Sequence, residues 1–298
     1  MTKDLPNFLI VGAAKAATTT IHEYLKQHPE VFMTEWKEPS FFKFKNKERI
    51  KYTTDKPVKF ITKIEDYKNL FKAASGEKIR GESSTPYLYF YEETIQNIKE
   101  TITDYENIKI LIVLRNPIER AFSQYMMKIR DVVEDLDFMT AIKSEPSRMK
   151  NNAHFDFFYV DRGMYYRQVK AYLSIFKDVK VLLYDDFKQN PDKTLNDILN
   201  FLELKNFEFK KIKNQNISGK PKSKELAILL KKDFFIKRHL KNLLPVKFRK
   251  SIKSEIMRNN LQKETISLEA KIYLQEYYKS DIQKLQELIN RDLSNWLL

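Results

Sequence analysis

The feature that most constrains this chain is a set of short, uninterrupted apolar runs, each released directly into a helical pattern. Phe8-Leu-Ile-Val-Gly12 is rich in branched side chains and ends in glycine. Lys109-Ile-Leu-Ile-Val-Leu-Arg115 and Asp178-Val-Lys-Val-Leu-Leu-Tyr184 repeat the design. Such runs are short for buried helices and lack the alternation of a strand with one wet face. They read as parallel strands covered on both sides.

Helical periodicity fills the intervals. Thr18 to Gln27 puts Ile21, Tyr24 and Leu25 on one face and stops short of Pro29. Glu92 to Lys99, Pro117 to about Arg130, Met164 to Phe176 and Asp192 to Leu202 behave alike, with Pro117 well placed in a first turn. Lys78 to Glu82 reads as a further strand. The alternation predicts an α/β fold of three layers, a central parallel sheet flanked by helices. All 298 residues are expected to form a single domain, with an α/β core over about 5–225 and a helical C-terminal part over about 223–298, interrupted at Pro245. Residues 44–65, rich in Lys and Thr, read as a surface excursion.

Composition removes several chemistries. With no cysteine, disulfides, thiolate metal sites and a cysteine nucleophile are excluded. No apolar run approaches transmembrane length and Met1 to Pro6 lacks a signal-peptide pattern, so a cytoplasmic location is the expectation. The net charge of +14 is concentrated: residues 205–260 hold 17 Lys or Arg against four acids. Such a stretch suits a polyanion, whether nucleic acid, anionic lipid, acidic glycan or a phosphate-rich small molecule. A well-solvated basic surface would look the same.

Two segments are shaped for anions. In Gly12-Ala-Ala-Lys15-Ala-Ala-Thr-Thr-Thr-Ile21, small residues let the backbone approach an anion, and Lys15 adds a charge. Thr18, Thr19 and Thr20 add hydroxyls at a helix start, where unpaired N–H groups already favour negative charge. A Walker A loop would carry glycine before its lysine, and Ala14 stands there instead. A tight turn with a solvated lysine is the plain alternative. The second segment is Leu114-Arg115-Asn-Pro-Ile-Glu-Arg120-Ala-Phe-Ser123-Gln-Tyr125, in which Arg115 and Ser123 can jointly hold a phosphate.

Together these segments resemble the PAPS-dependent sulfotransferase family, whose donor is 3′-phosphoadenosine 5′-phosphosulfate. The second segment is similar to its R-x-P-x-x-R-A-x-S-x-Y pattern, and the likeness is greatest to the Golgi heparan-sulfate-type branch and its bacterial relatives. Lys37-Glu-Pro-Ser-Phe-Phe42 resembles that branch's K-E-x-x-F-F, Gly81-Glu-Ser-Ser-Thr-Pro-Tyr87 its G-E-K-[ST]-P-x-Y, and Arg162-Gly-Met-Tyr165 with Gln168 its helix start. Leu183-Tyr184-Asp-Asp186-Phe resembles a Y-E-D-L segment, and a weaker echo runs to Trp296. Two departures stand out. Ala17 replaces the glycine of the donor loop, and Ser83 replaces the lysine of G-E-K, which counts against a heparan-like acceptor.

The resemblance implies a P-loop-NTPase-like sulfotransferase fold and direct in-line transfer of a sulfuryl group from PAPS, leaving PAP, with no metal. It places Lys15 at the bridging oxygen. The backbone of Lys15, Ala16, Ala17, Thr18, Thr19 and Thr20 would lie on the 5′-phosphate, with Arg115 and Ser123 on the 3′-phosphate. Tyr184 would lie against adenine, and Lys220 and Lys222 in a loop closing over the donor. Glu38 is the first candidate base, His154 the second and Glu82 the third; a surface Lys37–Glu38 pair and a packing histidine are the plain alternatives. Trp36, Glu82, Ser83, Tyr87, Phe155 and Tyr165 are candidates for acceptor contact, with Tyr89 also near the expected pocket mouth, and a carbohydrate is the favoured acceptor. A lipid or small-molecule alcohol is the alternative acceptor. A nucleotide kinase and a basic nucleic-acid-binding protein are the rival classes, although no nucleic-acid partner is expected. Residues 234–253 mix bulky apolar residues with cations and could touch an anionic membrane, or simply join the core.

Overall fold

The structure is a computed structural model that describes residues 4–47, 60–212, 219–231 and 255–298. The expected membrane-contact run 234–253, and residues 214–218 of the expected closing loop 214–222, lie outside the described residues. Five parallel strands form the central sheet: β1 (Phe8–Gly12), β2 (Val31–Met33), β3 (Ile79–Ser83), β4 (Lys109–Leu114) and β5 (Val179–Leu183). Their spatial order is β2-β3-β1-β4-β5. Every residue of β1, and β4 from Ile110 to Leu114, is buried. Each such aliphatic side chain contributes roughly 1.5–3 kcal/mol by leaving water.

Only β2 lacks a counterpart in the sequence reading. At three residues it is too short to show a period, and β3 recruits it as an edge strand through Val31 opposite Ile79. Five helices lie where the periodicity puts them: α1 (Thr18–Leu25), α2 (Tyr91–Thr101), α3 (Pro117–Arg130), α4 (Tyr165–Ile175) and α5 (Pro191–Phe201). Shorter ones such as Ile64–Asn69, Phe138–Lys143, Glu145–Lys150 and Tyr184–Gln189 had no counterpart in the sequence reading. Asn116 caps α3 by accepting the Ile118 N–H at 2.9 Å.

The terminal helix α6 (Leu268–Ile289) buries Ala270, Leu274, Tyr278, Ile282 and Leu285, and packs mainly against α4. That face joins the same apolar core as the sheet. The Tyr278 hydroxyl donates to the Val160 carbonyl at 2.8 Å, and the Trp296 indole N–H donates to Asp185 at 3.3 Å. Two further short strands, β6 (Lys220–Pro221) and β7 (Leu261–Gln262), pair antiparallel. The resemblance put Lys220 and Lys222 in a closing loop, and the described end of that segment is this clasp.

From β1 the chain runs to β2 and β3 on one side, then crosses to β4 and β5 on the other. The order reverses between β1 and β4, and such a reversal opens a crevice at the strands' carboxyl ends. The register of β1 on β4 shifts between Ile10 and Gly12, and the Ala13 N–H donates to the Val113 carbonyl at 2.7 Å. Gly12 is required there: a Cβ would sit 2.5 Å from Cβ of Leu88.

Candidate active site

The loop leaving β1 enters α1 without a side-chain cap. Lys15 and Ala17 both take left-handed backbone, with φ of 69° and 62°. Glycine adopts this conformation freely, whereas an L-residue bears a cost of about 1–2 kcal/mol. The loop thus keeps at Ala17 the geometry that the resemblance assigns to a glycine. The first bond back along α1 runs from the Ile21 N–H to the Ala17 carbonyl, which leaves the N–H groups of Ala17 to Thr20 outside the helix's own ladder. The Ala16 N–H, expected on the 5′-phosphate, instead donates to the Ala13 carbonyl at 3.3 Å. Ala16 is fully buried, and its Cβ belongs to the core.

The Lys15 ammonium sits 3.6 Å from the Met127 sulfur of α3. Burial, then the nearby Arg130 and Arg115 charges, pull its pKa down to about 8. Arg115 leaves β4 beside it. Its guanidinium donates to the Lys15 carbonyl at 3.3 Å and to the Glu119 carboxylate at 3.1 and 2.9 Å, and lies 4.8 Å from the Tyr184 ring centroid. Arg115 therefore ties the two anion-shaped segments together. A cavity of about 1570 Å³ opens over them, with Lys15, Ala17, Thr18, Thr19, Thr20, Arg115, Ser123 and Tyr184 on its wall.

The same wall also carries Glu38, Thr85, Phe155, Asp156 and Arg162. Glu38 has a φ of 60°, donates its N–H to the Ser83 carbonyl at 3.0 Å, and accepts the Thr85 hydroxyl at 3.2 Å on both oxygens. It also pairs with Lys37 at 2.8 Å, so the surface pair and the cavity position coexist. The buried Arg162 guanidinium donates to Asp156 at 3.2 Å, and Lys128 reaches the same carboxylate at 2.8 Å. Burial alone would raise the Asp156 pKa, but Lys128 and Arg162 overcome it and hold the group at about 2.

Several expected site residues stand elsewhere. His154 is not on the cavity wall. Its Nδ1 accepts the Asp156 N–H at 3.2 Å and caps a short turn, while its ring stacks on Phe155. Burial, with Lys128 and Arg162 nearby, lowers its pKa to about 4, which makes it a weak base. Glu82 is fully buried and also off the wall, holding the hydroxyls of Tyr67, Tyr87 and Ser84 at 3.1, 2.7 and 2.8 Å. Burial pushes its pKa up to about 7 against those hydrogen bonds, and the Glu38 charge adds to the rise. Ser83 is buried on His22, with its Oγ 2.9 Å from Nδ1. Tyr87 is spent on Glu82, and Tyr165 donates to the Arg115 carbonyl at 3.0 Å. Trp36 is 42% exposed and lies off the wall. Of the aromatic candidates for acceptor contact, Phe155 alone lines the cavity, because the buried tyrosines must use their hydroxyls to satisfy the interior.

Lys220 pairs with Glu264 at 3.5 Å and Lys222 is held through its backbone N–H on the Asn260 carbonyl. Neither is on the wall, although Gly219, Lys263 and Glu264 of the same clasp are. Sequence reasoning gave no role to Thr85, Asp156 or Arg162. Thr85 and Arg162 stood inside segments singled out for other positions, and Asp156 stood two residues from His154. Lys263 and Lys271 also reach the wall, and no sequence signal marks them, because the clasp and α6 fold back to bring them there.

Residues 5–286 match the sulfotransferase domain family. The chain belongs to it. A sulfotransferase from Alicyclobacillus acidocaldarius has the same fold, with a TM-score of 0.75 and 29% identity over 98% of each chain. The membrane-associated sulfotransferase kil1 of Dictyostelium discoideum is 20% identical over 97% of this chain and 66% of its own length. Carbohydrate sulfotransferase 15 of Homo sapiens is 22% identical over 67% of this chain and 44% of its own. This sulfotransferase-domain chain thus spans just under two thirds of the first and under half of the second. No helix among its described residues is long and apolar enough to cross a membrane.

Proposed function

We propose that this chain moves a sulfuryl group from PAPS to a hydroxyl or amine of an acceptor, a carbohydrate in the first instance. The supporting observation is that the uncapped α1 loop with Lys15, and the segment carrying Arg115 and Ser123, line one cavity and are joined through the Arg115–Lys15 bond. A nucleoside with phosphates on two different oxygens needs such a pair, whereas a triphosphate would favour the glycine that Ala14 replaces. The carbohydrate preference rests on the likeness to carbohydrate sulfotransferase 15.

The donor supplies the sulfuryl group. The protein's part is to position the reactants and to neutralise charge. Glu38 takes the proton of the acceptor as its oxygen or nitrogen bonds to sulfur. Lys15 offsets the charge that grows on the bridging oxygen as the sulfur–oxygen bond to the 5′-phosphate breaks and PAP departs. A bound anion also restores the full charge of Lys15, which burial and two arginines otherwise weaken. Arg115 and Ser123 select the 3′-phosphate, and Tyr184 offers a face for the base.

Thermal shift with PAP against ATP, followed by labelled-sulfate transfer from PAPS onto glycans, lipids and phenols, tests the reading. Stabilisation by PAP and label on an acceptor are expected. Stabilisation by ATP with magnesium, and none by PAP, would point to a phosphoryl transferase instead. Peripheral membrane contact through residues 234–253 is part of the proposal. It fails if liposome flotation shows no dependence on anionic lipid.

A further inference from the structure

Glu82 is a fully buried carboxylate that the reaction scheme above does not use. We propose that it is a positioning residue for Glu38, acting through two hydroxyls that hold the backbone just beyond that side chain. The proposal rests on the reading of Glu38 as the base.

The segment carrying Glu38 is strained. Glu38 and Ser40 both have left-handed φ, 60° and 54°, and neither is glycine. Such backbone persists only where its surroundings over-determine it. The Ser84 hydroxyl donates to one oxygen of Glu82 at 2.8 Å and accepts the Ser40 N–H at 3.0 Å. The Tyr87 hydroxyl donates to the other oxygen at 2.7 Å and accepts the Phe42 N–H at 3.2 Å. In its ionised form the Glu82 carboxylate accepts hydrogen bonds and offers none, so it draws both hydroxyl protons inward. That leaves a lone pair on each hydroxyl facing the N–H groups of residues 40 and 42. The neighbouring bonds agree: the Glu38 N–H is held by the Ser83 carbonyl, and its carboxylate by Thr85. The end of β3 and the turn after it thus grip the segment at four places, and Glu82 fixes the sense of two.

Glu82 lies off the cavity wall, so this influence passes through Glu38 rather than to the acceptor. Glu82→Gln keeps the size but replaces one accepting oxygen with an NH₂ group, which forces either the Ser84 hydroxyl or those of Tyr67 and Tyr87 to turn. The tests are PAP affinity by calorimetry, and sulfate transfer from labelled PAPS to the best acceptor of the panel. If no acceptor is labelled, the slow transfer to water is measured instead. Glu82→Gln is expected to lower turnover about ten-fold and change PAP affinity less than about two-fold. In a Glu38→Gln background the same substitution is expected to cost less than about two-fold more, because it acts through a group already removed.

Multiplying losses in the double variant, a matching fall in PAP affinity, or wild-type turnover of Glu82→Gln beside a crippled Glu38→Gln would each overturn the positioning role alone. Full turnover of Glu38→Gln would overturn the base assignment, and this proposal with it. Where Glu82→Gln does not melt cooperatively, Ser84→Ala and Tyr87→Phe each remove one hydroxyl and should show the same non-additivity at smaller size. Wild-type turnover in both would overturn the proposal.

Discussion

The two ends of the cavity are made differently. The donor end is mostly contiguous chain: a strand, a loop and a first helical turn over residues 8–20, then a strand end and helix over residues 114–123. The groups proposed there to meet the donor are largely backbone N–H, with Lys15 and Arg115 as the main charges. The proposed acceptor end is assembled from side chains remote in sequence, Glu38, Thr85, Phe155, Asp156 and Arg162. Backbone geometry leaves a local signature in small residues and strand-to-helix joins. An assembly of distant side chains leaves none until the chain has folded.

The largest effect should come from the donor end. Lys15→Ala removes the charge that meets the leaving oxygen, and turnover should fall roughly 10³-fold, with weaker PAP binding in the same calorimetric titration. A variant that keeps full transfer from PAPS would break the proposed mechanism. At the acceptor end Glu38→Gln should cut turnover roughly 10²-fold or more while PAP affinity stays near wild type. If both variants lost PAP affinity and turnover equally, the division of the cavity into two ends would be wrong.

The acceptor end also bears a pH-dependent cost that the donor end can reveal by contrast. Burial holds the folded-state pKa of Glu82 at about 7, above its ordinary 4.5. The folded protein therefore binds that proton more tightly than the unfolded chain. The stability linked to it is complete below the ordinary carboxylate range and is lost as pH rises through about 7. The loss amounts to about 3 kcal/mol at most. Urea unfolding of the wild type and Glu82→Gln across pH 4 to 8, a range bounded roughly by the two pKa values, should show the variant lacking this decline. Parallel stability curves would place the Glu82 titration outside that window.

The same contrast explains what the sequence disclosed. β1 and β4 were legible because full burial on both faces demands unbroken apolar runs, and β5 because its branched and leucine residues keep that character at a half-buried edge. The five helices named above were legible because their buried faces recur with the helical period. β2 escaped because three residues carry no period. At the site, the loop around Lys15 and the Arg115 to Ser123 segment stood out by local chemistry. His154 did not reach the cavity, since its ring serves the backbone of Asp156. Tyr87 and Tyr165 looked like binding aromatics but are needed to satisfy a buried carboxylate and a buried carbonyl. Nothing local distinguishes a tyrosine that faces a ligand from one whose hydroxyl completes the interior.

Ala17 sharpens the donor side of the comparison. Its left-handed backbone bears a Cβ that glycine would not, and Ala17→Gly should relieve about 1–2 kcal/mol. The greater unfolded-state freedom of glycine returns about 0.5–1 kcal/mol of this. A net gain of about 0.5 kcal/mol is expected in urea unfolding, with PAP affinity nearly unchanged. A destabilised variant would mean that the loop relies on the alanine methyl for packing.

A comparably small effect concerns Glu119. Its carboxylate holds Arg115 by two hydrogen bonds, on the guanidinium proposed to meet the 3′-phosphate. The pair is an i, i+4 contact on α3 with Glu119 more than half exposed, so the bridge itself adds little to stability. A phosphate must nevertheless compete with that carboxylate or share the guanidinium with it, at the cost of like-charge repulsion. Glu119→Gln should therefore tighten PAP binding about two- to five-fold at low salt, and the gain should shrink as ionic strength shortens the screening length. Adenosine 5′-phosphate, which lacks the 3′-phosphate, should gain less. Equal gains for both nucleotides would show Arg115 serving the 5′ side through its bond to the Lys15 carbonyl, and would move the 3′-phosphate away from Arg115.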